Sequence, residues 1–260
     1  MIGSIANNRF LQRVNPEILR ALNETGAAAS MRQMVDLDIA KNLVGWWHRD
    51  NVNTRVSGSD TFVTSALDSS GGTNNATQAT EANQPKLVSL GMDFDGSNDE
   101  IVIGNTGISF SNEISICLWH KVNTIQNATL IMSFVSDYTL YRINIHLPWG
   151  DSNIYWDCGG NGSVNQYDRH IVAWDAGYSD ISFWVFQKNK TTGTMEIYRN
   201  GISIASTSGK TQDIPNLNNL KFSASTRLSA VINDIRIYNK TLSATEIAAI
   251  DNQTKGYYGL

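Results

Sequence analysis

The sequence predicts an all-β, two-sheet antiparallel sandwich with a short N-terminal helical arm and a short C-terminal helix. Three observations carry this. Apolar and polar residues alternate with the two-residue period of a strand over Glu113–Lys121 and again over Val231–Tyr238. The composition is 41% hydrophobic and only 17% charged; Asn, Ser and Thr carry the polarity instead, as suits many short strands joined by turns. A chain of 260 residues is long enough for one large sandwich with an appendage. At this size folding buries roughly 75% of the extended surface, so neither a metal nor a disulfide is needed for stability.

Residues 1–42 differ from the remainder of the chain and are expected to form an anchor arm. Asn15 suits an N-cap, Pro16 the first helical position, and Glu17 the positive end of the helix dipole. Ile18, Leu19 and Leu22 make a narrow apolar stripe, and Gly26 stops the helix. A second short helix runs over 27–34, with Met31 and Met34 on one side. Helices this short are marginal alone. They either lie on their own sandwich or dock on a neighbouring subunit, and the arm is expected to dock.

The sandwich itself is expected over 43–252. Leu43-Val44-Gly45-Trp46-Trp47 opens it, and a turn-rich stretch runs on to Pro85, with an exposed loop over 51–62. Met92 and Phe94 share one strand face, Asp93 and Asp95 the other; Gly96-Ser97-Asn98 turns the chain and Ile101-Val102-Ile103 resumes it. In the strand over Glu113–Lys121, Ile114, Ile116 and Leu118 fall on one face and Ser115, Cys117 and Trp119 on the other. Strands are expected over 129–135, 138–147 and 153–158, with a break at Pro148-Trp149-Gly150. A long polar connection covers 159–177, and another strand covers 181–188. Asn200-Gly201 at the tip of Met195–Ile204 suits a type I′ hairpin turn. Further strands cover 220–224 and 231–238. In the latter, Ile232, Asp234, Arg236 and Tyr238 alternate against Asn233, Ile235 and Ile237. Ser243 and Glu246 spell a capping box, with Leu242 and Ile247 as its hydrophobic staple. The tail 253–260 contains Tyr257 and Tyr258, which are expected to dock on a neighbour.

Five of these segments, in this order, resemble the laminin-G-like, concanavalin-A-like jelly roll: Gly45-Trp46-Trp47, the Asp68–Ala76 glycine loop, Phe94-Asp95-Gly96-Ser97 with its flanking strand, Glu113–Lys121, and Asp234–Ile247. The resemblance covers about residues 43–250. Where similar domains have aspartate at the 195–204 hairpin tip, Asn200 stands here, and the histidine usual in the 181–188 strand is absent.

Function is narrowed mainly by exclusion. Net charge is −4 with no basic block, which argues against a nucleic-acid groove. No apolar run of about 18 residues suggests a membrane span. Cys117 and Cys158 are read as two buried free thiols, with a disulfide as the alternative. His48, His120, His146 and His170 show no zinc spacing. Glycoside hydrolysis needs two carboxylates about 5–9.5 Å apart. The E-x-D-x-x-E strand of hydrolases on the resembled fold is missing, and Asp93, Asp95, Asp99 and Glu100 read as turn residues. The chain is therefore expected not to be an enzyme and to require no cofactor.

The resemblance implies calcium as the plausible ion, with Asp68, Asp95, Asp99 and Asp234 as its ligands. It also suggests carbohydrate binding, for which Trp149, Trp156 and Tyr167 supply aromatic platforms and Asp151 and Asn153 polar neighbours; Trp174 and Tyr178 are further candidates. The alternative is that these aromatics fill the core or an interface between protomers. The opening residues show no continuous apolar segment of a secretion signal. With the extra arm, that points to a virion structural protein, most plainly of a bacteriophage, as a head-decoration, head-fibre or tail-associated subunit. It would be made in the host cytoplasm and displayed on the virion surface. Its partners would be capsid or tail proteins and further copies of itself. The competing expectation is a carbohydrate-binding or adhesion module that recognises a host or environmental polysaccharide.

Overall fold

The computed structural model describes residues 38–134, 139–224 and 227–260. The first half of the chain order is β1 (Leu43–Trp47), β2 (Val52–Ser57), β3 (Asp60–Ala66), β4 (Ala76–Thr77), β5 (Lys86–Val88), β6 (Gly91–Asp95), β7 (Ile101–Gly104), β8 (Glu113–Val122) and β9 (Thr129–Phe134). It continues with β10 (Tyr141–His146), β11 (Asn153–Gly160), β12 (Asp168–Ala173), β13 (Ser182–Asn189), β14 (Thr194–Arg199), β15 (Ile202–Thr207), β16 (Leu220–Ala224), β17 (Ser229–Tyr238) and one C-terminal helix, α1 (Ala244–Thr254).

All pairings are antiparallel. One sheet runs β15–β14–β13–β8–β17. The other edge of β17 is shared by β6, along Ser229–Ile232, and β1, along Ile235–Tyr238. The second sheet runs β4–β7–β16–β9–β10–β11–β12. β3 pairs with both β5 and β4 and so joins the two. The inner faces meet through large aromatics: Trp47 lies 5.6 Å edge-on to Phe222, and Trp156 lies 6.0 Å from Phe186. Burial of this core drives folding.

Several local expectations hold. Asn200 and Gly201 take φ of +49° and +77°, as the type I′ turn demands. Ser243 caps α1 and Glu246 closes the box, while Leu242 and Ile247 are both buried. Cys117 and Cys158 are buried free thiols.

Other expectations need correcting. The stretch 51–62 is not a loop: its β-branched residues build most of the β2–β3 hairpin, turned at Gly58 with φ +62°. The connection 159–177 contains β12, which extends the second sheet. The simple alternation of β17 also fails. Its ladder to β8 shifts between Asn233 and Arg236, and Asp234 adopts φ +50°. This bulge moves the next residues across the sheet, so Ile232 shares the core with Ile235 and Ile237. Tyr258 does not wait for a neighbour, because its ring packs 4.3 Å from Trp119 of the same chain. Of the expected arm, residues 38–42 are helical and Ile39 is buried beside α1. Ile18, Leu19, Leu22, Met31 and Met34 lie outside the described residues.

Candidate functional site

The outer face of the second sheet is unusually polar, and strand alternation explains how. In β10, Ile143 and Ile145 enter the core, so Arg142, Asn144 and His146 point the other way. Register extends this set across the sheet. Lys221 opposes Met132, Met132 opposes Asn144, Asn144 opposes Asp157, and Asp157 opposes Arg169. Directly opposed residues share a face. A row therefore crosses β16, β9, β10, β11 and β12, reading Lys-Met-Asn-Asp-Arg. Phe134 and Tyr155 sit in flanking rows, opposite Arg142 and His146.

These residues floor a cleft of about 840 Å³, walled by Trp149, Glu100, Asn219 and Arg227 from the connecting segments. That volume falls in the range of roughly 300–1,000 Å³ common for ligand sites. Trp149 comes directly after the cis Leu147–Pro148 peptide. Its backbone N–H donates to Asn153 O at 2.8 Å and its carbonyl accepts from Ser152 N–H at 2.9 Å. The Trp149 ring meets His146 edge-on at 4.6 Å, and Tyr155 meets His146 at 6.0 Å. The Tyr155 hydroxyl donates to Asp151 at 2.6 Å, and this bond holds the Asp151 carboxyl below its usual range. His146 Nδ1–H donates to Ala128 O at 3.0 Å, which leaves Nε2 as the acceptor. Burial pushes the pKa of His146 down, so the ring is neutral near pH 7.

Charge is concentrated under and beside this floor. Asp157 is fully buried and receives two guanidiniums: Arg142 Nη2 at 2.6 Å, and Arg169 through Nε at 2.6 Å and Nη2 at 2.8 Å. The hydrogen bonds to Asp157 raise the pKa of Arg169 further. Tyr167 stacks on these groups, its ring centre 3.6 Å from the Arg142 guanidinium and 5.2 Å from that of Arg169. On the opposite wall Glu100 pairs with Arg227 at 2.8 Å and with Lys221 at 3.7 Å. Arg142 Nε and Asn144 Oδ1 are buried without a hydrogen-bond partner among the described residues. Buried polar atoms are normally satisfied, so this floor has hydrogen-bonding capacity that the described residues do not use.

The structure separates the aromatic candidates from the sequence. Trp149 lines the cleft; Asp151 and Asn153 shape its turn, Asp151 accepting from Asn153 N–H at 3.1 Å. Tyr167 supports the arginines instead of forming an open platform. Trp156 is a correction: it is fully buried and faces the core with Ile154 and Cys158, because alternate positions of β11 point inward. Trp174 and Tyr178 pack against Trp184 at 6.0 and 5.5 Å.

The four aspartates expected to hold calcium do not meet. Asp68 accepts from Trp46 N–H, from Ser70 N–H and Oγ–H, and from Asn74 N–H. Asp234 accepts from the Trp46 indole at 2.6 Å and from both Arg236 donors at 2.8 Å. Those carboxylates are engaged in holding the chain. Asp95 and Asp99 instead line a separate hollow with Asp93, to which Arg55 and Lys86 already bring positive charge. Burial raises the pKa of Asp99 to about 6. No group of three His, Cys, Asp or Glu residues suited to a metal ion occurs among the described residues. The residues named for calcium therefore do not fit one ion.

Tyr155, within the aromatic segment 149–156 read from the sequence, lines the cleft; Arg142, Asn144, His146, Asp157, Arg169, Lys221 and Arg227 were not anticipated as site residues. The available signal was the R-I-N-I-H alternation of 142–146, three polar side chains of different chemistry on one strand face.

An antiparallel jelly-roll sandwich with a polar cleft on one sheet face defines a lectin-like β-sandwich. The chain belongs to the concanavalin A-like lectin/glucanases superfamily, whose family model matches residues 95–248. No curated protein matches it. Among solved structures it resembles the botulinum neurotoxin serotype D ligand binding domain in complex with N-acetylneuraminic acid, with 18% identity, a TM-score of 0.60, and coverage of 84% of this chain and 52% of that one. It also resembles the botulinum neurotoxin serotype D binding domain, with 16% identity, a TM-score of 0.59 and coverage of 84% and 53%. A third is botulinum neurotoxin type C, whose cell entry is described as dependent on two ganglioside molecules, with 17% identity, a TM-score of 0.56 and coverage of 84% and 52%. The chain thus spans about half the length of these structures, and the likeness concerns the fold.

Proposed function

We propose that this chain is a non-enzymatic glycan-binding module and that the cleft over β9–β12 is its binding site. The observation that carries this reading is the row of polar side chains across the sheet, with Trp149 at its wall and, at its floor, the Asn144 amide oxygen and Arg142 Nε, which have no partner among the described residues. Saccharides offer ring faces to aromatics and hydroxyls to amides and guanidiniums, so they match this mixture. Membership of a lectin/glucanase superfamily supports the reading, as does the saccharide named for one similar structure.

The test is binding to a broad glycan panel, then titration of the best ligands against Asn144→Ala. Saturable binding that Asn144→Ala abolishes, with melting unchanged, is the expected result. A flat response across the panel overturns the reading. Release of reducing sugar from any bound polysaccharide overturns its non-enzymatic part.

A second reading concerns where the module works. Residues 1–42, with Ile18, Leu19 and Leu22, fall outside the stretch matched by the family model; this reading takes them as an anchor for display on a larger assembly such as a phage particle. Homo-oligomer formation and a virion-surface location belong to this reading. Deletion of residues 1–37 should then abolish co-sedimentation with particles while the sandwich still melts cooperatively. Unchanged co-sedimentation would remove the anchor.

A further inference from the structure

We infer that the cleft selects acidic saccharides, reading the carboxylate of a uronic or sialic acid unit. This rests on the glycan-binding reading above and specifies its ligand class. The argument is one of charge. Four cationic groups, Arg142, Arg169, Lys221 and Arg227, meet only two carboxylates in their ion pairs, Asp157 and Glu100. Among the described residues, each wall of the cleft is thereby left with one positive charge in excess. His146 adds none near neutral pH, because burial keeps it unprotonated, and Asp151 is turned to the Tyr155 hydroxyl outside the lining. The chain as a whole is at −4, so this positive cleft runs against the general field of the protein and is a local feature.

Geometry gives the reach. Lys221 and Arg169 stand at opposite ends of a row that spans four strand spacings, about 19 Å at the usual interval. That length suits a short oligosaccharide rather than one sugar. Arg142 shares Asp157 with Arg169, and its Nε has no partner among the described residues, so they do not use its guanidinium fully. Guanidinium forks pair bidentately with planar carboxylates, the group that a uronic or sialic acid unit presents; sulfate competitors test the choice against a sulfated sugar.

The experiment compares matched pairs by calorimetry: 3′-sialyllactose against lactose, and an alginate oligomer against its carboxyl-reduced form. Dextran sulfate and inorganic sulfate serve as competitors. Binding of at least one acidic probe is expected, with its neutral counterpart at least about tenfold weaker, as loss of a charge-assisted hydrogen bond implies. Lys221→Met should weaken the acidic probe by a larger factor than the neutral one. Arg227→Gln, checked by melting, should act in the same direction. Equal affinity within each pair overturns the acidic selection while leaving glycan binding intact. Equal displacement by dextran sulfate or inorganic sulfate overturns it in favour of a general polyanion site. Absence of binding to every saccharide, acidic or neutral, overturns the underlying glycan reading instead.

Discussion

The two outer faces of the sandwich have opposite fates. On the β13–β8–β17 sheet, Cys117, Trp119, Phe183 and Val185 point outward, and α1 covers them with Ile247 and Ile250, beside Leu242 just ahead of the helix. On the β9–β12 sheet, the corresponding positions are Arg142, Asn144, His146, Tyr155 and Arg169, and the described residues leave an open cleft over them. The same alternation produced both faces. What separates them is whether the chain carries its own cover. An apolar outer face requires a helix, and the capping box at Ser243 starts that helix where β17 ends. A polar outer face needs no cover, so it remains available to a ligand. The proposed binding surface is thus the one over which the described residues place no element.

Removing Trp119 attacks the covered face most directly. Its ring is buried against Phe183 and Tyr258, at 5.6 and 4.3 Å, and its indole N–H donates to Thr254 Oγ at 2.7 Å. Trp119→Ala should cost about 3–5 kcal/mol, the usual range for deleting a buried aromatic. Denaturant unfolding measures the loss. Glycan affinity of the folded fraction should not change, since Trp119 lies on the opposite sheet face from the cleft. A parallel loss of affinity would mean that the two faces are coupled through the core.

Histidines extend the comparison to pH. His120 is fully buried on β8, and neither ring nitrogen has a hydrogen-bond partner among the described residues. Burial lowers its pKa to about 3. The unfolded chain therefore binds a proton between about pH 6.5 and 3 that the native state refuses, and stability falls as pH drops through that window. The loss approaches about 3 kcal/mol by pH 4, from the usual cost per pKa unit. His120→Phe should flatten the acid limb of a plot of Tm against pH, leaving stability near pH 8 equal or higher because two unsatisfied nitrogens are removed. His146, also shifted downward, keeps its own acid sensitivity. An acid limb unchanged in His120→Phe would assign the acid loss to other groups.

How much of this was legible depended on the range over which each feature is encoded. The Asn200-Gly201 turn, the capping box and the inner and outer residues of β8 are written within a few adjacent positions, and the structure bears them out. The bulge at Asp234 was not legible, because one extra residue in a strand leaves the local pattern looking regular until the partner strand is known. The β2–β3 hairpin was hidden by its polarity: an edge hairpin with both faces partly wet resembles a loop in composition. The cleft was least legible of all. Arg142 and Asn144 look like any solvated strand face. Only the register of β9, β10, β11, β12 and β16 brings Lys221, Asn144 and Arg169 into one row. Of the aromatics named from the sequence, Trp149 reached the cleft because it stands in a turn. Trp156 did not, because its parity within β11 points it inward.

Trp149 should therefore show the smallest effect on stability and the largest on binding. It is only partly buried, and its ring contact is with His146 at the cleft wall, so Trp149→Ala should cost under about 1 kcal/mol of stability, close to other surface changes. Its loss should nevertheless remove most of the glycan affinity, since an aromatic wall supplies a large share of the apolar contact in a saccharide site. Trp156→Ala is the matched control, a tryptophan on the same sheet that faces the core. It should reverse the pattern, with a stability loss of about 3–5 kcal/mol and retained affinity in the protein that still folds. Calorimetric titration and thermal melting of the two variants read both quantities together. If Trp149→Ala melts early and binds normally, the ring is structural and the open face works through its charged row alone.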